Sequence, residues 1–167
     1  MQARTKSPVM IFPEAMKAMQ ALAATAEGSG LPERTIALIH LRASQINGCS
    51  VCVDMHHRMA KKLGETDERL STVTAWRDAP YFTDAERAVL ALTESVTRLS
   101  DKADPVPDEI WNEAARHYDG KKLAALVLAI ATINAWNRLN VATRQVAGEW
   151  IKSAESQKWL ESVPAAR

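Results

Sequence analysis

The sequence predicts an all-α fold, and three observations carry that expectation. Apolar residues recur at three- and four-residue spacing along nearly the whole chain. Alternating β-branched runs, the mark of a half-buried strand, are missing. Glycines, prolines and short polar residues punctuate the periodic stretches where helix caps and breaks belong.

Taken in order, Ile11 to Ala26 reads as a first helix, with Pro13 and Glu14 in its opening turn and Gly28-Ser29-Gly30 past its end. Pro32 suits the first turn of a second helix that runs to about Gln45, where Asn47-Gly48 breaks it. A third begins at Cys49 or Ser50 and stops at Gly64, a natural left-handed cap. Thr66-Asp67-Glu68 opens a short fourth helix, ended before Pro80. Thr83 and Glu86 form a capping box for a fifth, reaching about Leu99. Pro105 and Pro107 mark a loop, and Asp108 to His117 forms a sixth. Asp119 caps a seventh from about Gly120 to Trp136, with an extension to Val146 left open. Residues 149–167 read as a helical arm or tail carrying Trp150 and Trp159. The chain is thus expected to be a single domain over 1–167, of about seven helices. In the seventh, Leu123 to Ala131 leave no polar face over more than two turns, which predicts burial on all sides. Either the other helices wrap it or a second copy covers part of it, and a homo-oligomer is the expectation.

Composition narrows the function. The 167 residues are 47% hydrophobic and 25% charged, enough apolar material for a core. Lys plus Arg is 21 and Asp plus Glu is 20, a net charge of +1. Without a basic excess, nucleic acid is not an expected partner. The longest apolar run falls well short of the ~20 residues that span a bilayer, so no membrane partner is expected either. Val9-Met10-Ile11-Phe12 is too short for the core of a secretory signal and runs straight into Pro13. A cytoplasmic protein is the expectation.

The two cysteines sharpen this. Cys49 and Cys52 are three apart, and a bridge across so small a loop would constrain little of the unfolded chain. They therefore point to chemistry rather than stapling. On a helix at about 100° per residue, Cys49, Cys52 and His56 fall within about 60° of one another, while His57 points elsewhere. The Asn47-Gly48 break puts Cys49 at a helix start, where free N–H groups and the positive end of the dipole favour a thiolate. Cys52 is one turn further in and stands i,i+4 from His56, within reach of a proton-accepting imidazole. A dithiol that attacks, resolves and is re-reduced fits this arrangement. Half of a zinc site is a competing reading, weakened by the lack of a second pair; an inert buried pair is another. Trp76, Tyr81 and Phe82, beside Pro80, read as loop-packing anchors or as a substrate entrance, and Trp136, Asn137 and Arg138 as an approach to the site or a subunit contact.

The stretch Ser44-Gln45-Ile46-Asn47-Gly48-Cys49-Ser50-Val51-Cys52-Val53-Asp54-Met55-His56 resembles the alkylhydroperoxidase AhpD-like family of the carboxymuconolactone decarboxylase superfamily. The likeness continues through Leu63-Gly64-Glu65, Trp76 to Ala88 and Ile133 to Arg138, and covers roughly residues 10 to 146. It implies an all-α fold, homo-oligomers and thiol-dependent peroxide reduction without an organic cofactor or metal. Cys52 would attack the peroxide, Cys49 would resolve and face a thiol reductant or redox partner protein, and His56 would join the proton relay. One departure is plain: the family's relay usually has a Glu twelve residues before the first cysteine, and Ala37 stands there. Glu33 and His40 lie on the same side of the second helix and are the candidates to replace it. A γ-carboxymuconolactone-type decarboxylase, whose relatives do not depend on a CxxC, and a non-catalytic redox-sensing protein are the alternatives.

Overall fold

A computed structural model describes residues 2–100 and 102–163; residues 164–167, the end of the expected arm, lie outside the described residues. The described residues form helices and turns, with no strand among them. The helices are α1 (Pro8–Ile11), α2 (Pro13–Glu27), α3 (Glu33–Asn47), α4 (Ser50–Lys62), α5 (Asp67–Thr72), α6 (Asp84–Thr97), α7 (Asp108–His117), α8 (Gly120–Thr143) and α9 (Ala154–Ser162). Short 3-10 turns at Val73–Ala75 and Trp150–Lys152 complete the order.

The expected first helix begins at Pro13 rather than Ile11, because Phe12, ahead of Pro13, is forced into an extended conformation. The expected helix is α2, and the four-residue α1 ahead of it was not expected from the sequence. Thr83 and Glu86 close a reciprocal capping box at the start of α6, and Asp119 accepts from the Lys122 N–H at the start of α8, each contributing about 1 kcal/mol. α8 continues past Trp136 to Thr143, a 24-residue element about 36 Å long.

Within one chain the helix buried all round is α3 rather than α8. Thr35 through Ser44, apart from His40, are buried, because α3 is packed against α4, α6 and α8 at once. One face of α3 places Ile36 and Ile39 in a core with Val89, Leu92, Leu126 and Ile130. The other places Leu38 and Leu41 with Leu63, Leu70, Val73, Trp76 and Phe82. Trp76 and Phe82 are thus core anchors, whereas Tyr81 is exposed. In the single chain α8 leaves Ala124 and Ala131 exposed and Val127 and Leu128 half-buried. Its apolar surface is wider than the rest of the described chain covers.

Glu94 locks α6 to its surroundings. Its carboxylate accepts from Trp76 Nε1 at 3.0 Å, Arg77 at 2.9 Å and Arg42 of α3 at 2.8 Å. Burial alone would raise this carboxyl, but these donors and the Arg42 charge hold it at about 2. No described helix is long and apolar enough to cross a membrane.

A helix-start disulfide beside a histidine pair

The site is built at the junction of α3 and α4. Gly48 ends α3 in the left-handed region, at φ 67°, a conformation open to glycine at no steric cost. This turn makes Cys49 the N-cap of α4. Asn47, the last residue of α3, fixes the junction against α8. Its Nδ2 donates to Asn134 Oδ1 and Asn137 Oδ1, both at 2.9 Å, and Asn137 Nδ2 donates to Ser44 Oγ at 3.0 Å. Asn134 in turn donates to Thr97 Oγ1 at 3.1 Å. The network thus ties α3, α6 and α8 together beneath the cysteines.

Cys49 and Cys52 form a disulfide across a Cα–Cα distance of 5.3 Å. Both are buried, at 1% and 3% exposure. They form a small apolar cluster with Val51, with Trp150 packed against it. Asn140 of α8 donates Nδ2–H to Cys52 Sγ at 3.4 Å. An open cavity of about 430 Å³ borders Cys49 but not Cys52, with Asn140, Val141, Arg144 and Gln145 on its α8 side.

His56 follows Cys52 by one turn on the same face of α4 and is buried. Its ring stands 4.7 Å from that of His40, centroid to centroid and tilted by 58°. Burial lowers His56 well below its ordinary 6.5, and the charge His40 would carry lowers it further. Burial likewise pushes His40 down to about 4, partly offset by a hydrogen bond to the Ala129 backbone. Both rings are therefore neutral near pH 7. His56 Nδ1 is buried with no hydrogen-bond partner among the described residues.

Of the residues singled out from sequence, the fold thus brings Cys49, Cys52, His56 and His40 together. Glu33 stands apart. It is exposed in the first turn of α3, two helical turns or about 10 Å along the axis from His40. Ala37, in the position of the family's relay acid, is packed in the core. Among the described residues no three His, Cys, Asp or Glu side chains converge as a metal would require.

Two groups at the site escaped the sequence reading. Asn140 completes an Asn134, Asn137, Asn140 series at three-residue spacing in an otherwise apolar helix, and that spacing was the available signal. Trp150 reaches the site from the arm, its Nε1 donating to Asp54 Oδ2 at 2.7 Å. Trp159 meets it edge-on at 6.2 Å. Lys62 holds the arm down by donating to the Leu160 and Glu161 carbonyls. A contact from nearly a hundred residues away leaves no local pattern to read.

Fold and site define an all-helical protein with a thiol–disulfide centre at a helix start. The comparisons narrow the class. Residues 13–95 match the carboxymuconolactone decarboxylase family. The uncharacterised protein YdfG of Bacillus subtilis (strain 168) is 39% identical over 132 residues, 79% of this chain and 88% of that protein. A solved structure from Agrobacterium tumefaciens, of unknown function and provisionally described as the antioxidant defence protein AhpD, is 35% identical with a TM-score of 0.81, covering 87% of this chain and 98% of that one. The debrominase Bmp8 shares the fold alone, at 20% identity and a TM-score of 0.70 over 90% of this chain and 77% of that one. The chain belongs to the carboxymuconolactone decarboxylase family, among its AhpD-like members.

Proposed function

We propose that this protein is a thiol-dependent, peroxide-reducing oxidoreductase with Cys49 and Cys52 as its redox centre and an antioxidant role. The observation that carries the reading is the pair of sulfurs within bonding reach at the start of α4, one turn from a buried His56. In the reduced protein the Cys52 thiolate attacks the terminal oxygen of a hydroperoxide. The O–O bond breaks, the alcohol leaves with a proton and Cys52 becomes a sulfenic acid. Cys49 sulfur then attacks Cys52 sulfur, water leaves and the disulfide forms. Two electrons from a thiol reductant or redox partner protein restore the dithiol.

Neutral His56 is the base that takes the Cys52 proton, and His40, its ring against that of His56, takes the relay role that Ala37 cannot supply. Asn140 supplies a hydrogen bond to a Cys52 thiolate. Exposed Glu33 reaches this relay only through solvent. The reading includes a single 1–167 domain, self-association over the open α8 surface and a cytoplasmic setting with its reducing pool. The test is consumption of an organic hydroperoxide with dithiothreitol as reductant. Turnover abolished by Cys52→Ser is the expected result, and a wild-type protein that consumes no peroxide above the reductant alone would refute the reading.

A further inference from the structure

The cavity that borders Cys49 has a chemical character of its own. At about 430 Å³ it is the size of a small-molecule pocket. Arg144 is its one charged lining residue, with Gln145 and Asn140 supplying amide groups and Val141 an apolar wall. Arg144 forms no ion pair among the described residues. Arg4, which does not line the cavity, donates from its guanidinium to the Ala142 carbonyl at 3.1 Å. The backbone adds an independent observation. Arg144 caps α8 at φ 53° and is the one non-glycine residue with positive φ among those described. Glycine is the usual residue at such a cap. An arginine held there against backbone preference, on the wall of a cavity, points to a use for its side chain.

We infer that this cavity binds a small carboxylate-bearing thiol, the electron donor of the disulfide, with Arg144 as the carboxylate-binding residue. The inference rests on the redox reading of the cysteines, though not on peroxide as the oxidant. The donor thiolate attacks Cys49 Sγ, the cysteine on the cavity side. The Cys49–Cys52 bond breaks and its electron pair leaves on Cys52, where Asn140 Nδ2–H meets the departing thiolate. A second donor thiolate attacks the donor sulfur of the mixed disulfide and frees Cys49. Two thiols become one disulfide, and their two protons end on the two cysteines.

The test compares 3-mercaptopropionate with 3-mercaptopropionamide, which share a skeleton and differ in charge. Reduction of the oxidised, full-length protein is followed in low salt, with rates corrected to equal thiolate concentration. Mass spectrometry locates the mixed disulfide. The carboxylate is expected to react roughly 2- to 5-fold faster, the size of an exposed ion pair, and the preference to fade in 0.5 M salt. Arg144→Gly should lose the preference without a lower Tm, because glycine suits the left-handed cap. Arg144→Lys should keep it, and the adduct should sit on Cys49. A preference unchanged in Arg144→Gly, or an adduct on Cys52, overturns the inference. No peroxide is present, so a protein that fails to consume peroxide but shows the charge preference would overturn only the peroxidase reading.

Discussion

The histidine pair makes stability depend on pH in a calculable way. Folding holds His40 at about 4 against an ordinary 6.5, with burial as the main cause. The unfolded chain therefore binds a proton at a higher pH than the folded one. Stability from this source is complete above pH 6.5 and falls as pH drops through 4. At roughly 1.4 kcal/mol per pH unit the gap amounts to about 3 kcal/mol. That figure is a ceiling, since His40 keeps some solvent contact. His56 is shifted in the same direction and adds to the loss. The perturbation is His40→Gln, which keeps a donor for the Ala129 backbone but cannot take up the proton. Urea unfolding at pH 7.5, 6, 5 and 4.5 reads the difference. Wild type should lose about 1–3 kcal/mol more than the variant between pH 7.5 and 4.5. Parallel curves would refute the argument that burial keeps this imidazole neutral.

Other consequences follow from single contacts. Gly48→Ala places a Cβ at φ 67° and should cost about 1–2 kcal/mol, read as a lower Tm, with slower formation of the Cys49–Cys52 disulfide because the same turn sets the cap. Glu94→Gln leaves Arg42 buried opposite a neutral amide and should cost about 3 kcal/mol in chemical unfolding. Trp150→Phe removes the Asp54 hydrogen bond and should destabilise the arm by about 1–2 kcal/mol. Limited proteolysis after residue 146 should then quicken while the far-UV helical signal stays.

Much of the fold was legible because helices announce themselves locally. Thr83 with Glu86, Asp119, Gly64 and Pro107 marked ends that caps and breaks do enforce. What sequence could not supply was which helix the others surround. Leu123 to Ala131 is more uniformly apolar than α3, yet α3 is the element enclosed, because its polar residues are satisfied inside: Arg42 on Glu94 and Ser44 under Asn137. Burial of a polar residue depends on a partner from another helix, and local periodicity carries no trace of it. The site divides in the same way. Cys49, Cys52 and His56 share one helix face and could be placed by counting. His40 could be nominated by spacing on its own helix, but its ring contact with His56 depends on how α3 meets α4. Glu33 was nominated by the same count, but it lies too far along the axis to meet the rings. Asn140 and Trp150 come to the sulfurs from distant segments and had only weak signals or none.

The most direct test of the central claim is one equivalent of peroxide added to reduced protein, with thiol counting and mass spectrometry before and after. Wild type should lose both thiols and gain the Cys49–Cys52 bond, and Cys49→Ser should hold a trappable sulfenic acid on Cys52. Two thiols that survive the peroxide untouched, or a sulfenic acid found on Cys49 in the Cys52→Ser protein, would contradict the account.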